Sequence, residues 1–351
     1  MRSTRLLDVT KHSPRGEKLS RSLHLVGQDE AVKTLVNTVD LYEGGLYPRT
    51  KPISCLLFLG PTGSGKTYAV ESFCESMFGN PQHMIKIDCA EFQIDHEIAK
   101  LIGSPPGYLG HRETHAIITN EKIKNLQQGF LPFSIILLDE IEKASDTLWN
   151  LLLGILDKGI LTLGTNEVVD LKSTIIIMTS NVGSKEMSNK LGGDTLGFLN
   201  PCLGSRGDTQ LLTELKDTAV AAARRKFTPE FMNRLTEIVM FNSLTKDNLK
   251  EIVELEIGKA RELIAMYGLK KPSVVISEPA KAQLLEEGYE PKYGARHVKR
   301  TIEKRVLLPV SRAMASHQID DLTVVVIDHK DGAFVYRIDC CLTPETHDPY
   351  E

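Results

Sequence analysis

Apolar positions in this chain follow two regimes. Between residues 21 and 244, short β-rich apolar runs alternate with longer stretches in which apolar residues recur at helical spacing, the pattern of a parallel sheet covered by helices. The runs predict strands at 54–59, 84–88, 134–138, 174–179 and 238–241, and the periodic stretches predict helices at 29–42, 66–78 and 145–157. In the last helix Ser145 stands where a cap belongs, and Leu148, Leu152, Ile155 and Leu156 share one face. After residue 244 the period is mainly helical, over 245–267, 278–287 and 294–316, and it ends in a hairpin pattern at 322–327 and 333–339 around DHKDG. The expected fold class is α/β, a parallel five-stranded sheet flanked by helices, followed by a smaller mainly helical domain with a β-hairpin.

Four regions follow: a flexible basic leader at 1–20, a large domain at 21–244, a small domain at 245–340 and a tail at 341–351. The leader reads as a frayed solvated end, with an organelle transit peptide as the alternative. Residues 183–208, rich in Gly, Ser and Asn, predict a long surface loop.

Composition narrows the classes without choosing one. The 351 residues are 41% hydrophobic and 25% charged, values of an ordinary globular chain, which excludes global disorder and collagen-like repeats. A formal charge of −4 and a pI near 6.2 give no basic excess, so nucleic acid is not the expected partner. The six cysteines, Cys55, Cys74, Cys89, Cys202, Cys340 and Cys341, show neither CxxC pairs nor metal-ligand spacing. A reducing cytoplasm is expected, and no apolar run is long enough to predict a membrane span.

The chemistry begins at GPTGSGKT, where Gly60, Pro61, Thr62, Gly63, Ser64, Gly65, Lys66 and Thr67 follow an apolar strand and open a helix that continues with Tyr68. Glycines let backbone amides wrap a triphosphate at a helix N-terminus, where the unpaired N–H groups favour anions. Lys66 is expected to reach the outer phosphates of ATP, and Thr67 to hold Mg²⁺. The run IILLDE ends a buried strand in two acids, and in an open α/β sheet the carboxyl ends of strands face the ligand crevice. Asp139 would then meet the magnesium, and Glu140 would polarise the attacking water. The single tryptophan, Trp149, is expected in core packing near this site, where it offers a fluorescence reporter.

These and further motifs, in order, resemble the AAA+ ATPases, and within them the second ATPase module of the Clp unfoldases and disaggregases ClpA, ClpB and ClpC, over residues 25–326. LVGQDEA is similar to the family's opening segment, which implies that Val26 and Gly27 lie by the adenine. IDCAEF is similar to the family's IDMSEF strand end. MTSN matches sensor 1, so the resemblance assigns the Asn181 amide to the water or γ-phosphate. FTPEFMNRLTEIVMF resembles the arginine-finger segment, which assigns Arg234 to the nucleotide of a neighbouring subunit. GYEPKYGARHVKR resembles sensor 2, which makes Arg296 a phosphate contact from the small domain.

SPPGYLGHRE resembles the central-pore loop with which Clp rings grip polypeptide, so Gly107, Tyr108, Leu109 and Gly110 are the expected substrate contacts. An aromatic and an aliphatic side chain between glycines suit nonpolar contact without sequence readout. Three departures limit the transfer. HRETHA replaces the aromatic and Gly/Glu run usual after the loop, and GILTLGTNEVVDL lacks the arginines of the second pore loop. The resemblance also brings no amino-terminal substrate domain, first ATPase ring or coiled middle domain. Leu196, Gly197 and Phe198 stand where some relatives carry a peptidase-docking tripeptide, although a loop folded back on the domain is the favoured reading.

The expected function is ATP-dependent protein remodelling by a homo-oligomeric, hexameric ring, with an adaptor or peptidase as further partners and no membrane. The alternatives are a nucleic-acid motor or loader and an ATP-switched scaffold. The acidic pI and apolar loop oppose the first, and the retained Glu140, Asn181 and Arg234 oppose the second.

Overall fold

The computed structural model describes residues 10–104, 116–127, 132–184, 186–187, 207–268, 271–289, 295–320 and 323–340. The chain divides into two units, with the change between Ser243 and Leu244. Among the described residues no helix is long and apolar enough to cross a membrane.

The first unit is built on strands β1 (Ser54–Leu59), β2 (Ile85–Asp88), β3 (Ser134–Asp139), β6 (Thr174–Ser180) and β7 (Glu237–Met240), in the spatial order β2-β3-β6-β1-β7. Every neighbouring pair is parallel. A short antiparallel hairpin, β4 (Ile160–Thr162) and β5 (Val168–Asp170), lies between β3 and β6 in the chain. Because side chains alternate along a strand, the sheet feeds two cores. Leu57, Leu59, Ile136, Leu138, Ile176 and Met178 pack on one face, and Leu56, Phe58, Ile135, Leu137, Ile175 and Ile177 pack on the other.

Helices α2 (Asp29–Glu43) and α3 (Lys66–Phe78) cover the second face through Leu35, Val36, Val39, Val70 and Phe73. Helix α6 (Asp146–Lys158) covers the first, with Ser145 accepting from the Leu148 amide as its cap. Trp149 is partly buried and packs edge-on to Phe231 at 4.7 Å between ring centres, and a fully buried phenylalanine such as Phe231 contributes roughly 1.5–3 kcal/mol by burial.

Part of the expected leader is folded. Residues 14–22 form helix α1 (Pro14–Ser22), capped by Ser13 and burying Leu19. Ion pairs from His12 to Asp40 (2.7 Å) and from Arg15 to Glu43 (2.8 Å) hold it to α2. The leader's excess of basic residues reads as solvation in sequence, but His12 and Arg15 meet the acidic end of α2. The expected long loop gives way at Gly207 to helix α7 (Gly207–Lys226), which the short α8 (Pro229–Met232) follows. Between β2 and β3 lie the short helices α4 (Ile98–Ile102) and α5 (Asn120–Leu126).

The second unit contains α9 (Lys246–Tyr267), β8 (Ser273–Ile276), α10 (Glu278–Gly288), α11 (Arg296–Ile302), α12 (Leu308–Ala315), β9 (Thr323–Lys330) and β10 (Ala333–Cys340). Val253, Ile257, Ile276, Leu284, Val298, Ile302, Val306 and Ile327 form its core. The hairpin stands, and β8 adds a parallel edge that the short VVI run did not predict. The single helix expected over 294–316 is interrupted by a π-helical turn, Glu303–Leu307. Pro309 explains the break, since proline has no N–H to give the carbonyl four residues earlier. That carbonyl, on Arg305, accepts instead from the Tyr336 hydroxyl at 2.9 Å.

Candidate functional site

The phosphate-loop sequence sits at the carboxyl end of β1. Gly65 caps α3 in the left-handed region at φ 97°, which favours glycine. Gly60 is required for a different reason, because a Cβ there would lie 2.5 Å from the Phe241 carbonyl oxygen. Lys66 is 8% exposed, and its ammonium donates to the carbonyls of Gly60 (2.7 Å) and Pro61 (2.9 Å) and to Asn181 Oδ1 (2.7 Å). A buried cation so placed has three oxygens to offset its desolvation.

One residue on, Thr67 Oγ1 lies 3.1 Å from each carboxylate oxygen of Asp139. Asp139 ends β3 and also accepts from the Thr179 hydroxyl. Glu140 follows in the left-handed region at φ 54°, an uncommon conformation for a residue with a side chain. Its amide donates to Thr179 Oγ1 at 3.2 Å, and its carboxylate pairs with Lys143. That hydrogen bond raises the Lys143 pKa. The Asn181 backbone N–H donates to Glu142 Oε1 at 3.2 Å. Lys66, Thr67, Asp139, Glu140 and Asn181 therefore converge at the carboxyl ends of β1, β3 and β6, where the topology puts a ligand crevice.

Val26 and Gly27 are half-buried just before α2. The residue sequence reasoning missed is their neighbour Gln28, which is 3% exposed. Its side-chain amide donates to the carbonyls of Ser64 (3.2 Å) and Asn242 (3.0 Å), and its oxygen accepts from the Asn242 amide (2.9 Å). Gln28 thus ties the segment before α2 to the phosphate loop and to the end of β7. Its place inside LVGQDEA was the available signal. Pro61, Thr62, Gly63 and Ser64 complete the loop, where the Ser64 hydroxyl donates to the Pro61 carbonyl at 2.8 Å. Tyr68 is exposed on the first turn of α3.

A strand–loop–helix of this chemistry is joined here by matches on both units. Residues 51–238 match the AAA domain (Cdc48 subfamily) family, and residues 244–327 match the C-terminal, D2-small domain of ClpB protein. The chain belongs to the AAA+ ATPases of the Clp family. ClpC, the ATP-binding subunit of the ATP-dependent Clp protease, is 38% identical in Staphylococcus epidermidis and 36% in Staphylococcus aureus, over 91% of this chain and 37% of each relative. A closed-state reconstruction of Hsp104 with ATPγS and FITC casein has a TM-score of 0.73 at 28% identity, covering 92% of this chain and 52% of that one. This Clp-family chain spans about a third of the curated relatives it matches.

Among the expected site residues of the Clp-family chain, Arg234 stands apart from the cluster within the first unit, and Arg296 belongs to the second unit. Arg234 follows α8 and precedes β7, at the amino end of the sheet, where Thr236 and Cys55 exchange hydrogen bonds of 2.8 and 3.0 Å. The length of β1 separates that end from Gly60, about 20 Å for six residues of strand. Arg234 lies 3.9 Å from Asp157 and 4.0 Å from Glu230, and its Nη1 is buried without a hydrogen-bond partner. Arg296 is exposed in the first turn of α11, in the second unit. Gly107, Tyr108, Leu109 and Gly110, and likewise Leu196, Gly197 and Phe198, lie outside the described residues.

Proposed function

We propose that this chain hydrolyses ATP as a subunit of a homo-oligomeric ring and uses the energy to remodel polypeptide. The convergence of Lys66, Thr67, Asp139 and Asn181 at one end of the sheet carries the reading. ATP phosphates would take up the Lys66 ammonium and the loop amides between Gly60 and Thr67, with Val26, Gly27 and Tyr68 about the nucleoside. A hydroxyl and a carboxylate already 3.1 Å apart are a hard-oxygen pair that fits Mg²⁺, so Thr67 and Asp139 would hold it. Magnesium there would offset charge on the transferred phosphoryl.

Glu140 would orient and deprotonate the attacking water, and Asn181 would fix that water or the terminal phosphate. Arg234 is too far from its own phosphate loop to serve it, which supports delivery to a neighbouring subunit's nucleotide, an effect worth roughly 10³- to 10⁵-fold in other NTPases. Arg296 would report the nucleotide state to the second unit. The ClpC and Hsp104 names carry the rest of the proposal: the first names a protease's ATP-binding subunit and the second a closed state with casein. Tyr108 and its neighbours would grip the polypeptide. Cys55, Cys74 and Cys89 are free and buried, with burial pushing the thiol pKa values of Cys55 and Cys74 up to about 12.

The test is unfolding of a fluorescent protein substrate beside ATP turnover. Tyr108→Ala is expected to abolish unfolding and leave turnover intact; unfolding at the parent rate would overturn the pore assignment.

A further inference from the structure

Two side chains outside the expected site hold Glu140 and Asn181 at a fixed separation. The backbone ladder between β3 and β6 ends at the pair Leu138–Met178. Beyond it, the left-handed turn at Glu140 carries the chain out of the sheet, and no further ladder bond joins these two strand ends. Side chains replace the missing rungs. Thr179 Oγ1 accepts from the Glu140 amide at 3.2 Å while donating to Asp139. Glu142 reaches back from the 3₁₀ turn Ile141–Lys143 to accept from the Asn181 backbone N–H at 3.2 Å.

The state of Glu142 shows that stability alone does not account for it. Its second oxygen, Oε2, is buried and has no hydrogen-bond partner. An unsatisfied buried carboxylate oxygen is destabilising, and such groups in native proteins are few. The compensating contact is the one to Asn181, the residue that also holds Lys66.

We propose that Thr179 and Glu142 are positioning residues, a two-rung clamp that sets the distance between the water-activating Glu140 and the phosphate-sensing Asn181. This rests on the ATP-hydrolysis reading above. Neither residue contacts the nucleotide in this role, so loss of the clamp misplaces the catalytic groups and slows hydrolysis far more than it weakens ATP binding. A misplacement of about 1 Å lowers rate by as much as ~10²-fold.

The protein carries its own reporter of this turn. Trp149, the one tryptophan of the chain, donates its indole N–H to the Ala144 carbonyl at 3.1 Å. The Ala144 amide in turn donates to the Ile141 carbonyl at 3.2 Å. Movement of the turn therefore reaches the indole.

The experiment compares Glu142→Ala, Glu142→Gln, Thr179→Val and Thr179→Ser in the full chain by kcat, KM for ATP and Trp149 emission. Glutamine keeps an acceptor for the Asn181 backbone N–H, and serine keeps the bridging hydroxyl. The clamp predicts that Ala and Val lower kcat about 10- to 100-fold, leave KM within about threefold and shift the emission, while Gln and Ser recover most of the loss. Three results would overturn it: unchanged kcat in Ala and Val, equal loss in Gln and Ala, or a parallel collapse of kcat, KM and the melting transition. If the parent protein shows no turnover, the ATPase reading fails instead, and Trp149 still decides the clamp. A shift in Ala and Val that Gln and Ser reverse supports it, and any other emission pattern rejects it.

Discussion

The Lys66 ammonium and the Asn181 side-chain oxygen lie 2.7 Å apart, joining the residue that opens α3 to the residue that follows β6. The contact spans 115 positions of sequence, and it brings the start of α3 and the end of β6 together. Asn181→Ala removes one of the oxygens to which the buried Lys66 ammonium donates and removes the side-chain amide expected at the water. ATP turnover should fall about 10²-fold with a smaller change in ATP affinity, measured by steady-state hydrolysis and titration of a fluorescent ATP analogue.

Gln28 makes a prediction that separates folding from chemistry. It is buried and supplies three hydrogen bonds to Ser64 and Asn242. Gln28→Ala leaves the Asn242 amide and two carbonyls without these partners, a loss of about 1–3 kcal/mol of stability. Urea unfolding of the two proteins measures it, and ATP affinity should weaken in step because the Ser64 carbonyl belongs to the phosphate loop.

The docked α1 helix gives a pH dependence. Burial acts to raise the Asp40 pKa, but hydrogen bonds from Ser13 and His12 outweigh it, and the carboxyl lies below its ordinary value. A carboxylate with a lowered folded pKa stabilises the protein above its unfolded pKa, near 3.9, and the contribution is lost as pH falls through the folded value. Asp40→Asn should therefore lower the melting temperature at pH 6 and converge with the parent as pH drops below about 4. Thermal melts across that range give the comparison.

How much of this was legible in sequence depended on whether the information was local. Lys66, Thr67 and Asp139 could be named because tight turns and strand ends impose short spacings on the residues that serve them. The five strands of the first sheet were legible for the same reason, as buried parallel strands read as unbroken apolar runs. Gln28 and Thr179 were not, although both sit inside quoted motifs. Each is an uncharged polar residue whose role comes only from a partner brought near by the fold, Asn242 for one and Glu140 for the other. Helix α1 was hidden by its basic residues, whose acidic partners lie at Asp40 and Glu43. The π-helical turn had a readable sign, since Pro309 stands inside an otherwise continuous helical pattern.

In the proposed ring one ATP site would be completed by two copies of the chain, with Arg234 reaching from one copy into the site of the next. Lys66→Ala destroys a subunit's own phosphate site and leaves its Arg234 intact; Arg234→Ala does the reverse. Each variant alone should hydrolyse ATP at no more than about a hundredth of the parent rate. Mixing them creates interfaces in which an intact Arg234 faces an intact Lys66, so ATPase activity measured across mixing ratios should rise to a maximum at intermediate composition. Activity that stays at the level of the separate variants at every ratio, or an Arg234→Ala protein as active as the parent, would contradict the account.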